Sequence, residues 1–322
     1  MELAPPDLRD WEAGNCGIPY VWTFAASRPG PHVGLVALVH GHEFAGAHAL
    51  LRLFELGVRP ARGRLTLIFA NVPALCRYRP EEPWAARFVD EDLNRIWSEE
   101  ALDAPRRSVE LSRARELRPL IDRLDCLLDI HTMSAAGPPL LLCPPVARAQ
   151  RLALSLGVPD YVVSCPGHAG GLRLVDYPRF TRGRRGPVAL LLEAGPHGCP
   201  RSADVAVAVS LSLLATLAML PAEHAAWAVA SPRPQQLVDV THRIEADGTP
   251  LTLLVPPQSL IRVEKAGTPV LRLGDRTVTT PYDDCVLILP QRRSAPGATA
   301  LRMGRLRQWR PSRGFRFAVA NG

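Results

Sequence analysis

Over the first two-thirds of the chain, short apolar runs alternate with patterns of helical period. Residues 33–39 form a β-rich run, and behind it Phe44, Ala47, Leu50, Leu51 and Phe54 recur at helical spacing, with Gly57 placed to close that helix. Further apolar runs at 65–70, 126–130, 140–143, 161–164 and 188–192 predict strands, and 108–124 predicts a helix between two of them. Strands that alternate with helices predict an α/β fold, a sheet covered by helices on both faces.

The pattern changes after the apolar run at 205–220. Residues 230–236 are rich in proline and polar side chains, and from 237 to 307 short strand-like runs are separated by Gly, Pro and Asp, as in a small β-rich unit. We therefore divide the chain into a catalytic domain over 1–229 and a β-rich C-terminal domain over 237–312, with the basic stretch 308–322 expected to fray. A length of 322 residues with 47% hydrophobic content suffices for a full core.

Composition excludes more than it assigns. Residues 205–220 are interrupted by Ser210 and Ser212 and fall short of the roughly 20 apolar residues a membrane span needs, so a buried helix is expected. Residues 1–11 carry acids and prolines where a secretory signal would have a basic start and an apolar run. The seven cysteines are scattered and form no C-x-x-C pair, which predicts free thiols in a cytoplasmic protein. The formal charge of +7 is almost all arginine, Lys265 being the one lysine, and it is spread along the chain. That spread indicates neither a nucleic-acid nor a membrane partner, but it suits an anionic small molecule. A homo-oligomer stays open.

Candidate chemistry begins where the first strand ends. Residues 33–39 run directly into His40-Gly41-His42-Glu43, which places an imidazole and a carboxylate three residues apart at a strand-to-helix junction. Zinc accepts histidine nitrogen and carboxylate oxygen, and its catalytic sites offer three protein ligands with one position open. His131 follows the run 126–130, and the carboxyl ends of parallel strands gather at one sheet edge, which makes it the candidate third ligand. Glu193 ends the run 188–192, where a carboxylate is costly unless it has a partner or a task. A His-x-x-Glu pair alone is weak evidence, since such pairs occur on ordinary helices.

Four motifs in order are more specific. His-Gly-x-Glu at 40–43 is followed by Arg87 with Asp92-Leu93-Asn94-Arg95 five residues on, by Asp-x-His ending at His131, and by Glu193-Ala194-Gly195-Pro196. This succession resembles the succinylglutamate desuccinylase/aspartoacylase family of the zinc carboxypeptidase clan, and residues 281–285 resemble the β domain of its bacterial members. The resemblance implies a zinc carboxypeptidase-like mixed central sheet flanked by helices, with a smaller C-terminal β-rich domain. It implies one zinc ion per chain on His40, Glu43 and His131, with Glu193 as general base and then general acid. Arg87 would stabilise the oxyanion, Asn94 and Arg95 would hold the substrate carboxylate, and Asp92 would orient a zinc-binding histidine.

The implied activity is hydrolysis of the amide in a small N-acylated amino acid. A zinc carboxypeptidase acting on a short peptide is the alternative enzyme, and a catalytically silent ligand-binding relative is the alternative from another class. Arg87 and Glu193, which metal binding does not need, favour an enzyme. In the resembling family the β domain narrows the entrance against peptides, and residues 237–307 are available for that role. The chain departs from the family at His42, where Asn is common, and the role of His42 stays open. The loop 177–185 contains Arg179, Arg182, Arg184 and Arg185, yet none stands at the spacing of aspartoacylase's own substrate-binding arginine. His48, His168 and His197 are expected to be structural.

Overall fold

The structure, a computed structural model, describes residues 2–168, 170–227 and 234–307. The proline-rich stretch 230–236 thus lies mostly, and the tail 308–322 wholly, outside the described residues. The strands are β1 (Val21–Ala25), β2 (His32–Ala37), β3 (Arg64–Phe69), β4 (Cys126–Met133), β5 (Leu140–Cys143), β6 (Tyr161–Ser164) and β7 (Val188–Pro196). Behind them come β8 (Gln236–Glu245), β9 (Leu251–Leu253), β10 (Ile261–Val263), β11 (Pro269–Leu273), β12 (Arg276–Thr279), β13 (Cys285–Ile288) and β14 (Thr299–Arg307).

Eleven of these strands form one sheet in the order β1-β3-β2-β4-β7-β5-β6-β8-β14-β13-β10, and β12-β11-β9 form a separate antiparallel sheet. The large sheet is mixed. Strands β3, β2, β4 and β7 run parallel, whereas β1 pairs antiparallel to β3, and β5 pairs antiparallel to β7 but parallel to β6.

Strand side chains alternate between faces, so each central strand feeds two cores. Val33, Leu35 and Ala37, with Leu128 and Ile130, and Leu190 and Leu192, enter one core beneath the helices Phe44–Glu55, Ala147–Ser155 and Pro200–Thr216. Val36, Leu127, Ala189 and Leu191 enter the other, beneath the helix Val109–Ile121. Helices on both faces explain why these strands read as continuous apolar runs. The same parity puts Asp129, His131 and Glu193 on the second face, beyond Leu127 and Leu191. Ser108 starts the helix Val109–Ile121 by accepting a bond from Leu111 N–H at 2.9 Å, a standard serine N-cap.

Two elements differ from the expected boundaries for a local reason. β2 stops at Ala37, two residues before the apolar run does, because Leu38 adopts φ 59° and turns the backbone toward the site. A buried leucine in that conformation costs about 1–2 kcal/mol, so the surrounding packing must hold it there. The apolar run at 205–220 lies largely within the helix Pro200–Thr216, whose Ala206, Val209, Leu213 and Leu214 are buried. No helix among the described residues is long and apolar enough to cross a membrane. The seven cysteines are free.

The strands after residue 236 are less separate from the rest than their pattern suggests. β8 pairs in parallel with β6, and β14, β13 and β10 follow antiparallel, so the central sheet continues into this region. The three-stranded sheet packs there on a third core containing Val270, Leu271, Leu287, Leu301 and Met303.

Candidate metal centre

Parallel pairing sets the site's dimensions. β2 runs beside β4 with Ala37 opposite Ile130, and β4 runs beside β7 with His131 opposite Glu193. The carboxyl ends of three adjacent strands therefore carry His40, His131 and Glu193 to one edge. Gly41 makes the junction after β2 feasible. A Cβ there would fall 2.3 Å from the Leu75 nitrogen and 2.6 Å from the Ala86 oxygen, and neither backbone can yield.

His40, Glu43 and His131 are all buried, and their ligand atoms lie within 4.8 Å of one another. His40 Nδ1 is 2.7 Å from Glu43 Oε1, and His131 Nδ1 is 3.0 Å from Glu43 Oε2. The far side of each ring rests on a carboxylate. His40 Nε2 is 3.0 Å from Asp92 Oδ1, and His131 Nε2 is 2.8 Å from Asp129 Oδ2, the latter a close ion contact without hydrogen-bond alignment. Two imidazoles that turn Nδ1 inward onto a shared carboxylate, each backed by a second carboxylate, form the arrangement by which proteins orient metal-binding histidines.

Electrostatics point the same way. Burial alone would raise the Glu43 pKa, but the His40 and His131 imidazoles outweigh it and hold Glu43 well below the usual carboxylate range. Burial alone would lower His131, yet Asp129 and Glu43 raise it well above its ordinary value. Two buried carboxylates around one imidazole make a cradle that favours positive charge, so the donors fit a divalent cation such as zinc.

The motif between the strands closes over this cradle. Arg87 donates from Nη2 to Asp92 Oδ2 at 2.8 Å, and Asp92 Oδ1 also accepts from the Asn94 N–H at 2.8 Å. Burial would raise Asp92, but His40 and then Arg87 hold it well below the carboxylate range. Asn94 Nδ2 lies 3.3 Å from His131 Nε2, and Asn94 Oδ1 accepts from Leu174 N–H at 2.8 Å. Arg95 bonds the Asn94 carbonyl at 2.7 Å, and burial pushes its pKa down to about 10. Glu193 presents a buried Oε2 with no hydrogen-bond partner, and burial followed by repulsion from Glu43 pushes it up to about 8.

Three residues at this edge were not singled out as ligands or catalytic groups. Asp129 was legible as the first member of Asp-x-His, since residues i and i+2 of a strand share a face. Arg302 on β14 had no sequence signal. It is buried, reaches His168 Nε2 at 2.8 Å, leaves its Nε without a partner, and adds positive field at both Arg95 and Glu193. His197 was expected to be structural, yet it forms a second group with His42 and Glu43 whose ligand atoms also lie within 4.8 Å of one another. His42 is buried with both ring nitrogens unpartnered, and burial lowers its pKa to about 3. Leaving a buried polar atom unsatisfied costs about 1–3 kcal/mol.

Two of the loop arginines are engaged away from the site. Arg182 forms a two-pronged pair with Glu99 at 2.9 and 2.8 Å on the surface, and Arg179 bonds the Leu124 carbonyl. His48 bonds the Ala4 carbonyl, and His168 joins Thr299 to Arg302.

Comparison with known proteins agrees with the motif order. Residues 29–154 match the family model described as the succinylglutamate desuccinylase/aspartoacylase catalytic domain. Among solved structures, a succinylglutamate desuccinylase from Vibrio cholerae shares 16% identity and a TM-score of 0.69, covering 92% of this chain and 89% of that one. The Vibrio parahaemolyticus enzyme gives 17% identity and a TM-score of 0.66 over 92% and 89% of the two chains. The product-bound ectoine utilization protein EutE (DoeB) from Ruegeria pomeroyi gives 18% identity and a TM-score of 0.59 over 88% of each. At these identities the structural likeness establishes the fold. No curated protein matches the sequence.

Proposed function

Through residues 29–154 the chain belongs to the succinylglutamate desuccinylase/aspartoacylase family, and from that premise we propose a zinc-dependent amidohydrolase that splits a small N-acylated amino acid into a carboxylate and a free amine. The observation that carries the reading is the convergence of His40 Nδ1 and His131 Nδ1 on Glu43 while Asp92 and Asp129 back the two rings.

His40, Glu43 and His131 would hold the ion. When bound there, zinc would polarise the scissile carbonyl and bring the pKa of a water toward about 7. Glu193, opposite His131 and with a free buried oxygen, takes the proton from the attacking water and returns it to the leaving nitrogen. Arg87 directs a fixed cation at the charge that develops on the carbonyl oxygen. Asp92 fixes the far nitrogen of His40 and the Arg87 guanidinium together, so ligand and oxyanion donor share one anchor. Asn94 and Arg95 receive the substrate carboxylate, with Arg302 adding positive field behind Arg95. The β-rich region after residue 236 would narrow the entrance against peptides.

Zinc-loaded protein should release free amine from a panel of N-acetyl, N-succinyl and N-formyl amino acids, including N-acetylated diamino acids. His131→Ala should abolish that release and remove the zinc held by this triad, as measured by elemental analysis. Unchanged zinc in the variant would remove the ligand assignment. Cleavage of dipeptides in place of acyl amino acids would move the reading to a carboxypeptidase.

A further inference from the structure

We propose that Glu43 serves two cations, and that a second divalent ion is held by His42, His197 and Glu43 beside the one at His40, Glu43 and His131. The proposal rests on the reading of Glu43 as a ligand and goes beyond it in the number of ions.

Four features converge on this second group. The ligand atoms of His42, Glu43 and His197 lie within 4.8 Å of one another, with His42 Nε2 4.0 Å from Glu43 Oε1. His42 is 4% exposed, yet neither of its nitrogens has a partner, so the ring offers its donors to the cluster and to nothing else. His197 Nδ1 is anchored 2.6 Å from Thr132 Oγ1, which leaves Nε2 as its ligating nitrogen. Thr132 also donates its backbone N–H to Glu43 Oε2 at 2.8 Å, so one residue positions two members of the group.

Packing alone does not account for this choice of residues. The His42 ring lies tilted against Trp84 at 4.8 Å and meets His197 edge-on at 4.9 Å, contacts that any flat ring would make. Trp84 also lies 5.5 Å from His197, so one indole covers both imidazoles. Two imidazoles and a carboxylate suit zinc or another borderline divalent ion better than magnesium or calcium, which prefer all-oxygen sites. A carboxylate shared by two ions is also the usual architecture of two-metal hydrolytic sites.

Metal-free protein should be titrated with Zn2+ and the bound ion counted by elemental analysis after gel filtration, with Mn2+ electron paramagnetic resonance on parallel samples. The wild type is expected to hold two ions per chain and to show a spin-coupled Mn2+ signal. His42→Asn and His197→Asn should each hold one ion, lose the coupling and melt like the wild type. His131→Ala should lose the other ion. Should an asparagine variant misfold, Thr132→Val tests the same site by weakening the second binding step alone. A single ion in the wild type, removed by His131→Ala and untouched by His42→Asn, would overturn the second site and leave the first standing. A wild type that binds no zinc would overturn both.

Discussion

The two sides of Glu43 are built differently. On one side His40 and His131 each have a carboxylate behind the ring, at 3.0 Å from Asp92 and 2.8 Å from Asp129. On the other, neither ring nitrogen of His42 has a hydrogen-bond partner and His197 has only the Thr132 hydroxyl. A carboxylate fixes an imidazole's tautomer and raises its basicity, whereas a hydroxyl does the first and little of the second. The first side should therefore bind its ion more tightly, and the second should fill later and empty sooner.

Where the chemistry runs is the sharpest way to separate the sides. Glu193 stands opposite His131, on the carboxylate-backed side. Glu193→Gln should lower kcat by about a hundredfold or more, the usual contribution of a general base, while zinc content stays constant. A wild-type rate in steady-state kinetics would mean that the proton is handled on the His42 and His197 side.

The next largest effect tests the backing carboxylates. Asp129→Asn should weaken zinc at the His40, Glu43 and His131 group by about 10- to 100-fold in a competition titration against a chelator. Thr132→Val should shift only the second binding step, and by less. Equal losses in both steps for both variants would show that the two sides act as one site and erase the distinction.

The smallest expected change concerns the substrate. Arg95→Lys keeps the charge but loses the planar fork, so kcat/KM for an acyl amino acid should drop by roughly tenfold with zinc unchanged. An analogue with the carboxylate replaced by an amide should hardly notice the substitution. Equal loss for both would show that Arg95 supports the fold around Asn94, whose carbonyl it bonds, and would move carboxylate recognition to Arg302.

Legibility followed the range of the contacts involved. His40, Glu43, Asp92 and Asn94 lie in short motifs whose geometry is largely local: a strand end, one turn of helix, and Asp92 accepting from an N–H two residues on at 2.8 Å. The central strands were readable because helices cover both faces, which keeps their residues apolar without interruption. Strand β1, at the sheet edge with only Val21 buried, is five residues long and has no helical pattern directly before or after it to mark it as a strand. Arg302 and the pairing of β8 with β6 were beyond reach, because one arginine among 38 basic residues and one short strand among many carry no mark of their partner.

By itself the sequence determined which residue types stand at the ends of β2, β4 and β7, and in what order, because strand period and turn geometry are properties of a few neighbouring residues. The tertiary structure alone decided which face each ligand shares, that Asp129 backs His131, that Arg302 arrives from β14, and that His42 and His197 meet at Glu43. Those outcomes depend on register between strands far apart in the chain, and a shift of one residue would have sent each side chain to the opposite face.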